Sequence, residues 1–214
     1  MSMQILRNSK EINVKFKTYK DNISGIGTIT YVKGDTFASL GHPVANNDGK
    51  LLQIKGGELF DCSITGCIKG KRGEAGELRG VLTNGYKIAT VTKNNQCGVF
   101  GVVDKKHFDT KKMMQIELGA ASIGEADIYT TINGNVPSKY KISIIKIDNS
   151  LENKNFVVKI CDNELIDATG GIVQGMSGSP IVQDDKLVGA ITHVFINDPT
   201  RGFGISIDKM INIL

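Results

Sequence analysis

Gly170-Gly171-Ile172-Val173-Gln174-Gly175-Met176-Ser177-Gly178-Ser179-Pro180-Ile181-Val182 is the stretch on which the reading of this chain turns. A serine set between glycines fits a sharp turn that exposes its Oγ, because glycine tolerates the backbone angles such a turn demands. In that turn the amides of Gly175 and Ser177 point to one side, which is what an oxyanion requires during acyl transfer; one such donor is worth on the order of 3 kcal/mol. Taken alone, Gly-x-Ser-Gly is also an ordinary turn between two strands. The surrounding chain has to decide between the two.

Outward from this segment, Ile181-Val182 opens an apolar strand, and a second follows at Gly189-Ala190-Ile191-Thr192-His193-Val194. Upstream, short runs alternate apolar and polar residues between Gly, Asn and Asp. Strands are expected near 12–17, 27–32, 36–40, 59–65, 87–92, 98–103, 114–117, 126–131, 139–147 and 156–160. Turn signals stand at Tyr19-Lys20-Asp21-Asn22, Thr83-Asn84-Gly85 and Asn133-Gly134-Asn135. The Gly-rich stretch 66–80 reads as a solvated loop or exposed hairpin, since it has no Gly-Lys-Ser/Thr opening a helix. Helical pattern is confined to 162–169 and 208–214. Strands at this spacing without intervening amphipathic helices predict an all-β chain of barrels or sandwiches.

Composition narrows the function. With 26 basic and 22 acidic residues the net charge is only +4, and aromatics make up 6%. No interleaved basic and aromatic platform is present, so nucleic acid is not an expected partner. No run reaches the ~18–20 apolar residues of a membrane helix, and 1–7 leads into polar sequence without a signal-peptide pattern. Cys62, Cys67, Cys97 and Cys161 are too few for a disulfide scaffold. Buried free thiols or a single disulfide remain open, and no metal or other cofactor is expected.

A serine hydroxyl needs a base, and histidine's pKa near ~6.5 suits the task. Three histidines exist. His107, in Asp104-Lys105-Lys106-His107, reads as part of a solvated turn. His193 falls on the strand after the nucleophile, either lining the cleft or simply packed there. His42 follows Phe37-Ala38-Ser39-Leu40 and a glycine, far enough from Ser177 to face it from another barrel, and is the expected base.

Gly-x-Ser-Gly-x-Pro followed by Ile-Val, then 189–194, resembles the trypsin-like peptidases, and Gly202-Phe203-Gly204-Ile205-Ser206-Ile207-Asp208 resembles the strand that closes the second barrel in their HtrA branch. That resemblance implies two six-stranded-type β-barrels, about 1–110 and 111–214, with a short C-terminal helix. It makes Ser177 the nucleophile, places Ser179 at the motif's glycine position, and sets Thr192, His193 and Val194 on the substrate-binding strand. Leu40-Gly41-His42 with 169–180 is further similar to the SpoIVB family of sporulation peptidases. The similarity runs from Gly25-Ile26-Gly27-Thr28 to Asp208. It implies a serine endopeptidase that cleaves a regulator of an intramembrane protease, so that a late sigma factor is activated. It also implies a secreted or membrane-anchored location facing the space between the two membranes of the developing spore. Family members carry an anchor and a PDZ domain ahead of the peptidase; this sequence shows neither, and is expected to be an isolated catalytic domain.

In that family the acid lies shortly before the nucleophile, so the resemblance points to Asp162, which would fix the His42 tautomer and stabilise the imidazolium. Trypsin-like spacing instead favours Asp104, and Asp162 also suits a helix N-cap. The choice stays open here. The expected chemistry is an acyl-enzyme mechanism on a protein bound as an extended strand. Its rivals are a peptide-binding module of the same fold without catalysis, a serine–lysine hydrolase using Lys186, and a basic-surface binder through Lys69–Arg72.

Overall fold

The computed structural model describes residues 2–7, 10–15, 23–46 and 48–211. β1 (Ser2–Arg7) and β2 (Lys10–Lys15) form a two-stranded antiparallel sheet. The expected turn at 19–22 lies outside the described residues. A five-stranded antiparallel sheet follows, made of β3 (Ile29–Lys33), β4 (Thr36–Ser39), β5 (Gly57–Ile68), β6 (Glu77–Asn95) and β7 (Gly98–Val103), in the order β3-β4-β7-β6-β5.

The rest of the chain gives β8 (Glu117–Leu118), β9 (Gly124–Thr130), β10 (Ser138–Ile147), β11 (Phe156–Ile160), α1 (Asn163–Thr169), β12 (Pro180–Gln183), β13 (Lys186–Phe195), β14 (Asp198–Ser206) and α2 (Ile207–Ile211). Its sheet runs β12-β9-β10-β11-β14-β13, and pairing of β12 with β13 closes six strands into a barrel; β8 adds in parallel to β13. The chain is all-β with two barrel-like sheets, as a trypsin-like architecture requires. The second sheet is closed, and the first is a half-barrel.

Of the two readings expected for the Gly-rich stretch, the hairpin is the one found, and one turn expectation is corrected. Residues 66–68 belong to β5 and 77–80 to β6, so only 69–76 connect them. Thr83-Asn84-Gly85 is no chain reversal but a bulge inside β6: between the pairs Phe60↔Lys87 and Cys62↔Leu82, β5 advances two residues while β6 advances five. The turn chemistry is still spent there, since Asn84 Oδ1 accepts the Tyr86 N–H. A side chain that bonds its own backbone relieves a bulge as readily as a hairpin turn.

Alternation places one set of side chains inside each sheet. The closed barrel is filled by Ile128, Ile142, Ile144, Phe156, Val158, Ile160, Met176, Ile181 and Ile191, all at most 1% exposed. The half-barrel has the smaller core of Phe37, Ala89, Val91 and Val99. The two sheets meet where Ala38, Cys97 and Phe100 pack with Leu187, Ala190, Ile205, Ile207 and Met210. Each fully buried Ile or Phe stabilises by roughly 1.5–3 kcal/mol, so this seam is held as a core is. The α2 residues Ile207 and Met210 are buried in it, which fixes the short helix against both sheets. All four cysteines are free thiols.

Candidate active site

Ser177 lies in the turn between α1 and β12. The turn is pinned by Met176 N–H to the Val173 carbonyl (3.1 Å), Ser179 N–H to the Met176 carbonyl (3.0 Å) and Gly178 N–H to the Ile191 carbonyl (2.8 Å). Among the described residues the intervening amides of Gly175 and Ser177 carry no backbone partner. Gly178 sits at φ +89°, and a Cβ there would fall 2.1 Å from the Thr28 carbonyl oxygen and 2.7 Å from the Leu40 amide. Only glycine lets the nucleophile loop approach the half-barrel this closely. Thr28 N–H donates to the Ser177 carbonyl at 2.9 Å, and Thr30 Oγ1 donates to the Gly178 carbonyl at 2.8 Å, so the two sheets are stitched at this loop.

His42 comes from the half-barrel side of the same seam. After β4, Leu40 (φ 66°) and Gly41 (φ 69°) both take the left-handed region and swing the chain out of the sheet. For leucine that conformation costs about 1–2 kcal/mol. A Cβ on Gly41 would lie 2.7 Å from Ile205 Cγ2 and 2.8 Å from Thr192 Cγ2, so His42 is delivered directly onto β13 and β14.

There the dipeptide Thr192-His193 touches both residues. Ser177 Oγ donates to the Thr192 carbonyl at 2.9 Å. The rings of His42 and His193 lie 4.8 Å apart by centroid, tilted by 41°. His193 Nδ1 is 3.0 Å from Thr192 Oγ1. His42 Nδ1 sits 2.9 Å from the Pro43 carbonyl, an acceptor only, so Nδ1 carries the proton and Nε2 keeps its lone pair. Among the described residues no hydrogen bond joins Ser177 to His42 in this resting arrangement.

The other sequence candidates lie elsewhere. Asp162 caps α1: one oxygen accepts the Leu165 N–H at 3.1 Å and the other the Lys141 N–H at 3.2 Å. Asp104 follows β7 at the end remote from His42, since Val99 pairs with Ser39 and Val102 with Thr36. Its carboxylate accepts from Lys106 N–H and pairs with His107 at 3.2 Å, and His107 in turn stacks on Tyr86. Ser179 is fully buried at 0% exposure with no partner for its hydroxyl, which removes it as a nucleophile. Lys186 starts β13 after the left-handed pair Asp184 and Asp185, on the exposed side of the hairpin.

The electrostatics favour neutral imidazoles. Burial lowers the pKa of His42 below 6.5, partly opposed by its bond to the Pro43 carbonyl. Burial, then the neighbouring His42 and Lys154, push His193 down to about 4. A neutral His42 with a free Nε2 is the form a general base needs at pH 7.

Among the described residues, no strand pairs with β13 beyond Ile191 on its β12 side. The last β12 pair is Pro180↔Ala190, while His193, Val194 and Phe195 pair only with β14. Residues 192–195 therefore present one unpaired edge next to Ser177. Sequence reasoning found this strand but not the Thr192 carbonyl as partner of Ser177, nor the Pro43 carbonyl as partner of His42. Backbone acceptors leave no signature in residue identity.

Among the described residues no group of three or more His, Cys, Asp or Glu is placed to hold a metal ion, and no helix is long and apolar enough to cross a membrane. Comparison with curated protein sequences gives no match. A family model described as SpoIVB peptidase S55 matches residues 15–211. That span takes in the half-barrel, the closed barrel and every residue of the seam, and so the chain belongs to the SpoIVB peptidase family.

Proposed function

We propose that this peptidase is a serine endopeptidase in which Ser177 attacks the scissile carbonyl and His42 Nε2 takes its proton, returning it to the leaving amine. The amides of Gly175 and Ser177 hold the oxyanion, and a water activated by His42 releases the acyl-enzyme. The observation that carries this reading is the meeting of Ser177 and a neutral His42 on one dipeptide, Thr192-His193, beside two amides without backbone partners.

Substrate adds as an extended strand to the unpaired edge at Thr192, His193 and Val194, a form of β-augmentation. The Thr192 carbonyl that now accepts the Ser177 hydroxyl is then claimed by a substrate N–H, which frees the hydroxyl for His42. Asp162 is put forward as the acid that stabilises the imidazolium on the family pattern alone; reaching His42 requires its carboxylate to leave the α1 cap. On the same pattern the substrate is a regulator of an intramembrane protease in the developing spore.

The resting bond from Ser177 to Thr192 also suits a module that binds peptides without cutting them. A fluorophosphonate probe separates the two readings, because only a base-activated serine reacts quickly. Rapid labelling mapped to Ser177 and lost in Ser177→Ala and His42→Ala supports the peptidase; no labelling of a folded chain supports the binding module.

A further inference from the structure

Resting on the reading of His42 as the base, we propose that Asn94 is its positioning residue: the Asn94 carboxamide fixes the Pro43–Val44 peptide plane, whose opposite edge holds His42 Nδ1. After His42 the chain runs as a loop over β6, shaped by the isolated bridge Ala45↔Leu51 and by bonds such as Leu52 N–H to the Val44 carbonyl (3.1 Å) and Asn46 N–H to the Lys50 carbonyl (2.9 Å). Asn94, near the end of β6, grips that loop with its whole side chain. Its Oδ1 accepts the Val44 N–H at 2.9 Å, and its Nδ2 donates to the carbonyls of Val44 (2.8 Å) and Leu52 (2.9 Å).

The first of these bonds reaches His42. The Val44 N–H and the Pro43 C=O are the two sides of one peptide unit, and a peptide unit is planar. Holding the N–H toward Asn94 Oδ1 therefore aims the carbonyl the other way, at His42 Nδ1. The bonds form a chain from Asn94 Oδ1 through Val44 N–H and Pro43 C=O to His42 Nδ1–H. An amide that donates on one side is a better acceptor on the other. Without a carboxylate in contact, the free enzyme still holds its base in one tautomer, with Nε2 free.

Residue identity is restrictive at position 94. Aspartate keeps an acceptor for Val44 N–H but turns a carboxylate oxygen toward two carbonyls. Alanine removes all three bonds. Glutamine is one methylene too long for the same reach. The arrangement holds for the free enzyme, whichever carboxylate later meets the imidazolium.

The test is the second-order rate of Ser177 labelling by a fluorophosphonate, measured against pH for the full chain and for Asn94→Ala. The expected result is a fall on the order of 10–100-fold, since a small misplacement of a catalytic group costs up to about that much. The acid limb is also expected to move to lower pH, because the Pro43 carbonyl raises the His42 pKa and a misaimed carbonyl withdraws that contribution. A rate within twofold of the parent, or an acid limb that stays in place or moves up toward pH 6.5, overturns the inference, since a merely loosened loop exposes the His42 ring to water and raises its pKa. Should Asn94→Ala fail to fold, hydrogen exchange on the parent decides. A protected Val44 amide is expected, and exchange at the rate of an open loop overturns the proposal. Ser177→Ala and His42→Ala run alongside. Labelling that survives both ends the peptidase reading, whereas labelling lost in both but unchanged in Asn94→Ala ends only the role of Asn94.

Discussion

The ring of His193 lies against the ring of His42, with centroids 4.8 Å apart and planes 41° from parallel. Each ring is one wall of the other's surroundings, and each Nδ1 has a nearby oxygen partner, Pro43 for His42 and Thr192 Oγ1 for His193. The pair joins the half-barrel to the closed barrel at the point where Ser177 rests on the Thr192 carbonyl.

If His42 is the base, the contact bears on the pH range expected of the enzyme. A base works only when unprotonated, and burial holds the His42 pKa below 6.5. Activity is therefore expected to be retained as pH falls through 6.5 and lost only lower. Replacing His193 by alanine lets water reach His42 and raises its pKa toward 6.5, so the acid limb of the pH–rate profile is expected to move to higher pH. An acid limb in the same place for His193→Ala and parent means that His193 does not shield the base.

The two serines of the motif have opposite expectations. Ser177→Ala lowers kcat by on the order of 10⁵–10⁶ if nucleophile and base act as a unit. Ser179 is fully buried with an unpartnered hydroxyl, and such a group costs about 1–3 kcal/mol. Ser179→Ala is expected to keep activity and to raise the denaturation midpoint slightly. Loss of labelling in Ser179→Ala together with its survival in Ser177→Ala reverses the assignment.

Gly178→Ala tests the seam. Its Cβ meets the Thr28 carbonyl oxygen at 2.1 Å with φ at +89°. Left-handed strain of about 1–2 kcal/mol and overpacking of about 1–3 kcal/mol give an expected loss of roughly 2–5 kcal/mol in denaturant unfolding, with labelling of Ser177 reduced as the loop moves. A variant as stable as the parent shows that the loop and the half-barrel do not meet this closely in solution.

Asp162→Asn separates capping from catalysis, because asparagine caps a helix about as well as aspartate. Because the second Asp162 oxygen accepts the Lys141 N–H and an amide nitrogen cannot, stability is expected to fall by about 1 kcal/mol, while kcat falls by up to on the order of 10⁴ if the carboxylate serves the imidazolium. Loss of turnover only in Asp104→Ala transfers the role to Asp104. Parent-like turnover in both leaves the Pro43 carbonyl as the acceptor that orients His42.

The sequence by itself determined the all-β class, the family, the serine turn and the histidine after β4, because these reside in local patterns: alternation, glycine placement and a long motif around Ser177. It also read the turn chemistry of Thr83-Asn84-Gly85 correctly but not its use, since the same Asx bond serves a bulge or a reversal, and only pairing of β5 with β6 chooses between them. What the tertiary structure alone decided is who holds whom. Nothing in Lys93-Asn94-Asn95 announces a clamp on the loop after His42, and nothing in Thr192 or Pro43 marks their carbonyls as the partners of nucleophile and base. Those contacts join segments distant in the chain through backbone atoms that every residue carries, so their identity is written only in how the two sheets pack.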